Sequence, residues 1–192
     1  MLYIENIYNY DDDFYQKITL PEDINIKYEK YYFKKDKKIC KISFFLKKKL
    51  SEFLKINNFI LKYNSYGKPY LLDNDYNIIN FNISHHSNLV VLYYDENKEV
   101  GIDILNSNEV KLYSYTCPFF SKEEVEYVNN LDKFCKIWTA KEAYSKCLGI
   151  GLSNELNKVN LIDVINNGKY KDYLFEFIEK DNKFIICKCT KN

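Results

Sequence analysis

The chain of 192 residues is 46% hydrophobic with a formal net charge of only +1. That is enough apolar content to bury a core without disulfides or a structural metal, and too little positive charge for a general nucleic-acid or membrane-surface binder. No apolar stretch approaches the roughly 18 residues of a membrane span, and Met1-Leu-Tyr-Ile-Glu-Asn6 is no leader, so a soluble cytoplasmic protein is expected. The six cysteines form no C-x-x-C pair and are expected as free thiols in a reducing compartment.

In chain order, the first strong periodicity falls at residues 36–54, where Ile39, Ile42, Leu46, Leu50 and Phe53 recur near helical spacing. The spacing predicts a long amphipathic helix with Asp36 capping its N-terminus and a lysine-rich outer face. From Lys27 to Lys49 there are ten lysines against Glu29 and Asp36, a local net charge of +8 that suits a polyanionic small molecule, although most of these lysines read as a solvated helix face. All 28 basic residues are lysine, so any phosphate would be held by ammonium groups and backbone amides rather than guanidinium forks. Asn64-Ser-Tyr-Gly-Lys-Pro-Tyr70 reads as a loop that holds Lys68 on a turn. Residues 78–83, 89–94 and 99–105 read as strands, and three antiparallel strands fit their spacing.

Further along, Ser121-Lys-Glu-Glu124 has the form of a capping box, opening a short helix to about residue 130. A second helix is expected over 132–148, stopping at Gly149. Residues 173–179 and 184–189 flank Lys180-Asp-Asn-Lys183 as a closing hairpin. Each half runs helix then strands with no linker between, which predicts an α+β (α/β) chain of two similar lobes.

Trp138, Glu142 and Lys146 recur at four-residue intervals and share one face of the second helix, opposite Ile137, Ala140, Tyr144, Cys147 and Leu148. On spacing alone, Glu142 and Lys146 make an exposed ion pair contributing about 0.2–0.5 kcal/mol. Asp103 alters that reading, because it stands in the apolar run Val100-Gly-Ile-Asp-Ile-Leu105, where a carboxylate is costly unless paired or metal-bound. A strand-terminal Asp facing water would read the same way. Together Asp103 and Glu142 would supply the hard oxygens that suit Mg²⁺, with water and phosphate oxygens completing the shell, and no His or Cys spacing suggests zinc. His85 and His86 are the only histidines, in Phe81-Asn-Ile-Ser-His-His-Ser87, where a solvent-exposed pair and a phosphate contact through Ser84 and His85 are both open.

Phe81-Asn-Ile-Ser-His85, Val100-Gly-Ile-Asp103, Phe120-Ser-Lys-Glu-Glu124 and Trp138-Thr-Ala-Lys-Glu-Ala-Tyr-Ser-Lys146, with the Gly67-Lys-Pro69 turn, occur in the order and at the separations that resemble the surfactin-type 4′-phosphopantetheinyl transferases. The resemblance implies a pseudo-dimeric fold, with an N-terminal lobe over 1–104, a C-terminal lobe over 105–192 and coenzyme A in the cleft between them. It implies an Mg²⁺-dependent, monomeric holo-[acyl-carrier-protein] synthase type enzyme. Such an enzyme moves the phosphopantetheine arm of coenzyme A to a serine of an apo acyl or peptidyl carrier protein and releases 3′,5′-ADP.

By position, Asp103 and Glu142 resemble the metal ligands and Lys146 the lysine at the pyrophosphate, with Glu142 or a water beside the cation taking the serine proton. Ser84 and His85 resemble the pair at the 3′-phosphate, Lys68 the lysine of the loop beside the nucleotide, and Lys27 and Lys30 the basic residues around it. A family arginine expected three residues past Asp36 stands here as Ile39, so Lys37 or Lys38 would substitute. Leu105 stands where many members carry a further glutamate ligand, which implies a two-carboxylate site with weaker metal binding. Glu124 matches a family acid next to the metal and fits the capping box equally well. Leu105 also motivates the competing reading of a non-catalytic module that binds coenzyme A or carrier protein. An unrelated magnesium-dependent nucleotide enzyme is disfavoured because neither G-x-x-x-x-G-K-[ST] nor G-x-G-x-x-G occurs.

Overall fold

A computed structural model describes residues 1–110 and 117–192. The chain enters on strand β1 (Leu2–Asn6), followed by helices α1 (Asp12–Lys17), α2 (Glu22–Lys30) and α3 (Lys34–Phe53). Helix α3 forms because Ile39, Ile42, Leu46 and Leu50 stack along one side and are buried, whereas Phe53, placed on the same stripe by spacing, lies exposed at the helix end. Asp36 is not the cap expected from the sequence: Phe33 occupies that position without a side-chain cap, and Asp36 sits in the first turn, where its charge complements the helix dipole.

Strands β2 (Ile60–Tyr63), β3 (Pro69–Leu72), β4 (Ile78–His86) and β5 (Leu89–Tyr94) complete an antiparallel sheet with β1, in the order β1-β5-β4-β3-β2. Strand β6 (Val100–Asn106) does not continue this sheet as the expected meander. It pairs along its length with β9 (Phe184–Lys191), which pairs in turn with β8 (Tyr173–Lys180), and the short β7 (Lys169–Tyr170) pairs with the far edge of β8. The physical reason lies in two-residue periodicity: Val100, Ile102 and Ile104 join Phe184 and Ile186 on one face and meet Leu89, Val91 and Tyr93 of β5 in a shared core between the sheets. The sheets therefore divide between Tyr94 and Val100.

Helices α4 (Lys122–Tyr127), α5 (Leu131–Leu148) and α6 (Ile162–Asn167) accompany the second sheet. The capping box at Ser121 and Glu124 forms as the sequence predicts, and Gly149 closes α5 in the left-handed conformation. Helix α5 lies directly on β6. A Cβ on Gly101 would stand 2.0 Å from the Ala143 carbonyl oxygen and 2.4 Å from the Cys147 nitrogen, so only glycine permits this approach. Among the described residues no helix is long and apolar enough to cross a membrane, and all six cysteines are free.

Side chains of β4 join the sheets. Asn82 Oδ1 accepts from the Ile102 N–H at 2.8 Å, Ser84 Oγ donates to Asp103 Oδ1 at 2.9 Å, and His86 Nδ1 accepts from the Asn106 N–H at 3.1 Å. These three residues alternate along β4 and so project from one face. A second tie comes from the β2–β3 turn, where Lys68 Nζ donates to the carbonyls of Val100 and Cys147 at 3.0 and 2.9 Å and Asn64 Nδ2 donates to that of Gly149.

Candidate active site

Two elements build the site by close approach. Gly101, Asp103 and Leu105 alternate onto the face of β6 that meets α5, and Glu142 and Lys146 lie one turn apart on that helix. Lys146 Nζ donates to Asp103 Oδ1 at 2.5 Å and to Ser84 Oγ at 3.0 Å, and stands 3.8 Å from Glu142 Oε2. One ammonium thus serves two carboxylates and a hydroxyl. The pair read from spacing as a surface decoration is a partly buried network, with side chains 27% exposed for Lys146, 16% for Glu142 and 8% for Asp103. Burial raises the Glu142 carboxyl above its ordinary value, Asp103 adds to the rise, and Lys146 opposes it.

Asp103 and Glu142 offer an under-compensated pair of hard oxygen donors on rigid elements, a donor set suited to a divalent cation that takes its other ligands from water and substrate. Among the described residues no group of three or more His, Cys, Asp or Glu side chains gathers as a metal site, and Leu105 supplies no oxygen donor.

The other expected site residues distribute around this centre. His85 follows Ser84 on β4 and is exposed; partial desolvation by the surrounding chain lowers its imidazole below the ordinary value, with Lys146 and His86 acting in the same direction and Asp36 and Asp103 against it. Lys27 of α2 lies over the Tyr63 ring at 5.6 Å, and Lys30 is exposed in the last turn of α2. Lys68 is committed to the two carbonyls described above, and burial lowers its ammonium below the ordinary value. Lys37 and Lys38, the expected substitutes for the arginine replaced by Ile39, pair instead with Glu29 at 3.8 Å and Asp12 at 3.2 Å. Trp138 leaves the charged face of α5 for an aromatic cluster with Phe119, Phe120 and Phe134.

Of the two readings of Glu124, the structure has the capping box, and it adds a partner that sequence reasoning missed. Glu124 and Lys141 are 0% and 1% exposed, and Lys141 Nζ lies 2.7 Å from Glu124 Oε2. Lys141 also donates to the carbonyls of Leu156 and Val159 at 2.7 and 2.5 Å, while Glu124 accepts from the N–H groups of Ser121 and Leu161. Neither Asp103 nor Glu142 is among its partners. The sequence signal was Lys141 beside Glu142 on a helix whose flanks are otherwise apolar, and it becomes readable only once Glu124 is known to face it.

Two adjoining family models match this chain: the 4′-phosphopantetheinyl transferase superfamily over residues 99–188 and the N-terminal part of 4′-phosphopantetheinyl transferases over residues 11–97. The chain belongs to the 4′-phosphopantetheinyl transferase superfamily. It is 33% identical over 106 residues to a 4′-phosphopantetheinyl transferase of Aneurinibacillus migulanus, covering 52% of this chain and 42% of the relative. It is 32% identical over 132 residues to the human L-aminoadipate-semialdehyde dehydrogenase-phosphopantetheinyl transferase, covering 59% and 43%. A phosphopantetheinyl transferase of Thraustochytrium is 29% identical over 118 residues, covering 52% and 41%. The matches span about two fifths of the length of these relatives, and similarity to both bacterial and animal members leaves the surfactin-type branch undistinguished.

Proposed function

We propose that this chain transfers the 4′-phosphopantetheine arm of coenzyme A to a serine hydroxyl of an apo acyl or peptidyl carrier protein, releasing 3′,5′-ADP. The observation that carries the reading is the Lys146 ammonium held between Asp103 and Glu142 with Ser84 beside it. Asp103 and Glu142 would hold Mg²⁺, which when bound neutralises pyrophosphate charge. Lys146 then turns to the phosphate bridge and stabilises the oxygen that leaves. Glu142, or a water beside the cation, would take the proton from the serine hydroxyl. The serine oxygen bonds to the β-phosphorus, and the bond from that phosphorus to the oxygen bridging the α-phosphate breaks. Ser84 and His85 line the phosphate-bearing stretch, and Lys27 and Lys30 form the basic side of the approach.

The test is the mass of an apo carrier protein after incubation with the chain, coenzyme A and Mg²⁺. A phosphopantetheine increment is expected, and Glu142→Ala should slow its appearance by about a hundredfold or more. Coenzyme A binding with no increment on any of a panel of carriers would favour a non-catalytic module instead. Full activity in Glu142→Ala would remove the assignment of this site.

A further inference from the structure

Successive residues of a helix point about 100° apart, so while Lys27 lies over the Tyr63 ring of β2, its neighbour Tyr28 turns toward α1 and α3. There Lys37 Nζ lies 4.9 Å and Lys41 Nζ 5.2 Å from the centre of the Tyr28 ring, and Lys38 Nζ lies 4.7 Å from that of Tyr15 on α1. Lys41 Nζ also donates to the Tyr15 carbonyl at 2.6 Å, which fixes its ammonium between α1 and α3. These side chains, with Lys34 at the start of α3 and Tyr32 just before it, line a cavity of about 430 Å³. No described residue of β4, β6 or α5 lines it, so it is separate from the Asp103 and Glu142 centre.

Four ammonium groups line this space against one carboxylate, that of Asp12. The acids that reach them compensate weakly: Asp12 pairs with Lys38 at 3.2 Å but is 83% exposed, and Glu29, 63% exposed, stands 3.8 Å from Lys37. A solvated lysine face would spread its charges apart, whereas here two tyrosine rings hold three ammonium groups on the wall of one concavity. Like charges gathered in this way repel until an anion joins them. The volume is that of a small-molecule site, and lysines serve phosphate as point charges. We propose that the cavity between α1, α2 and α3 is a second anion site, which takes a small molecule carrying two or more linked phosphate groups. Tyr32, exposed at the rim, offers a ring on which the base of a nucleoside polyphosphate stacks, and an inorganic polyphosphate shares the same phosphate chemistry. The inference does not depend on the coenzyme A reading.

Titration calorimetry on the full chain, without Mg²⁺ and at about 0.1 M salt, tests it with inorganic tripolyphosphate and with ATP as probes. At least one should bind with a dissociation constant below about 1 mM, and Lys41→Met should weaken that binding about tenfold, the scale of one charge-assisted contact. Lys48→Met removes a charge from an exposed position of α3 outside the cavity and should match wild type within about twofold. Lys146→Met, at the other site, should keep the binding. Lys41→Gln replaces the methionine variant if that one does not fold by thermal melting. A preference for ATP that Tyr32→Ala removes identifies a nucleotide as the ligand, and equal affinities identify the phosphate chain alone. No binding of either probe, no loss in the Lys41 variant, the same loss in Lys48→Met, or binding that disappears in Lys146→Met overturns the assignment.

Discussion

Lys146 has one positive charge to share between Asp103 and Glu142, and the neighbouring His85 feels that charge too. The imidazole is held below its ordinary 6.5 mainly by partial desolvation, then by Lys146. The folded state therefore binds fewer protons there than the unfolded chain just below pH 6.5, and stability falls as pH drops through that window, levelling off below the folded value. Urea midpoints measured at about pH 5 and about pH 7.5 should differ less in His85→Gln than in the wild type. At this scale the sequence was legible where chemistry restricts the choice of residue: an acid in an apolar strand, and a glutamate one turn from a lysine. It marked Lys68 as a lysine held on a turn but not its two carbonyl partners, and it was silent on Lys141, because lysine is common in this chain and only the three-dimensional surroundings separate a structural ammonium from a solvated one.

The elements around α5 depend on two contacts. Lys141→Met would leave the Glu124 carboxylate buried without its cation and should destabilise the fold by about 3–5 kcal/mol in urea unfolding. The double variant Glu124→Gln with Lys141→Met should cost less than that single one, since no charge is then stranded. Gly101→Ala drives a methyl group into the α5 backbone and should cost at least about 2 kcal/mol. It should also reduce transfer in the protein that remains folded, because Glu142 moves with its helix relative to Asp103. Most element boundaries followed from periodicity and punctuation: β5 matches residues 89–94, and Gly149 ends α5. The partner of β6 did not, because alternation predicts which face of a strand is buried and not which distant strand lies along its edge.

At the scale of the molecule, the two sheets are held by a shared apolar core, the β4 side chains and the Lys68 turn. Lys68→Met should lower stability by about 1–3 kcal/mol in urea unfolding, since the Cys147 and Val100 carbonyls lose a charged donor. The mixed α/β architecture was readable from the alternation of patterns, but this join was not, because it links residues as far apart in sequence as Asn64 and Gly149, which no local pattern relates.

The β4 side chains that reach β6 have one more effect. A strand bordered on one side only is open to strand addition from another copy, the usual route to aggregation. Here Asn82 and His86 occupy the Ile102 and Asn106 amides, and Ser84, set between them, is bound to Asp103. An invading strand would have to displace the same row of side chains that includes the Ser84 contact to Asp103, so protection of this edge and the local setting of Asp103 rest on one face of β4.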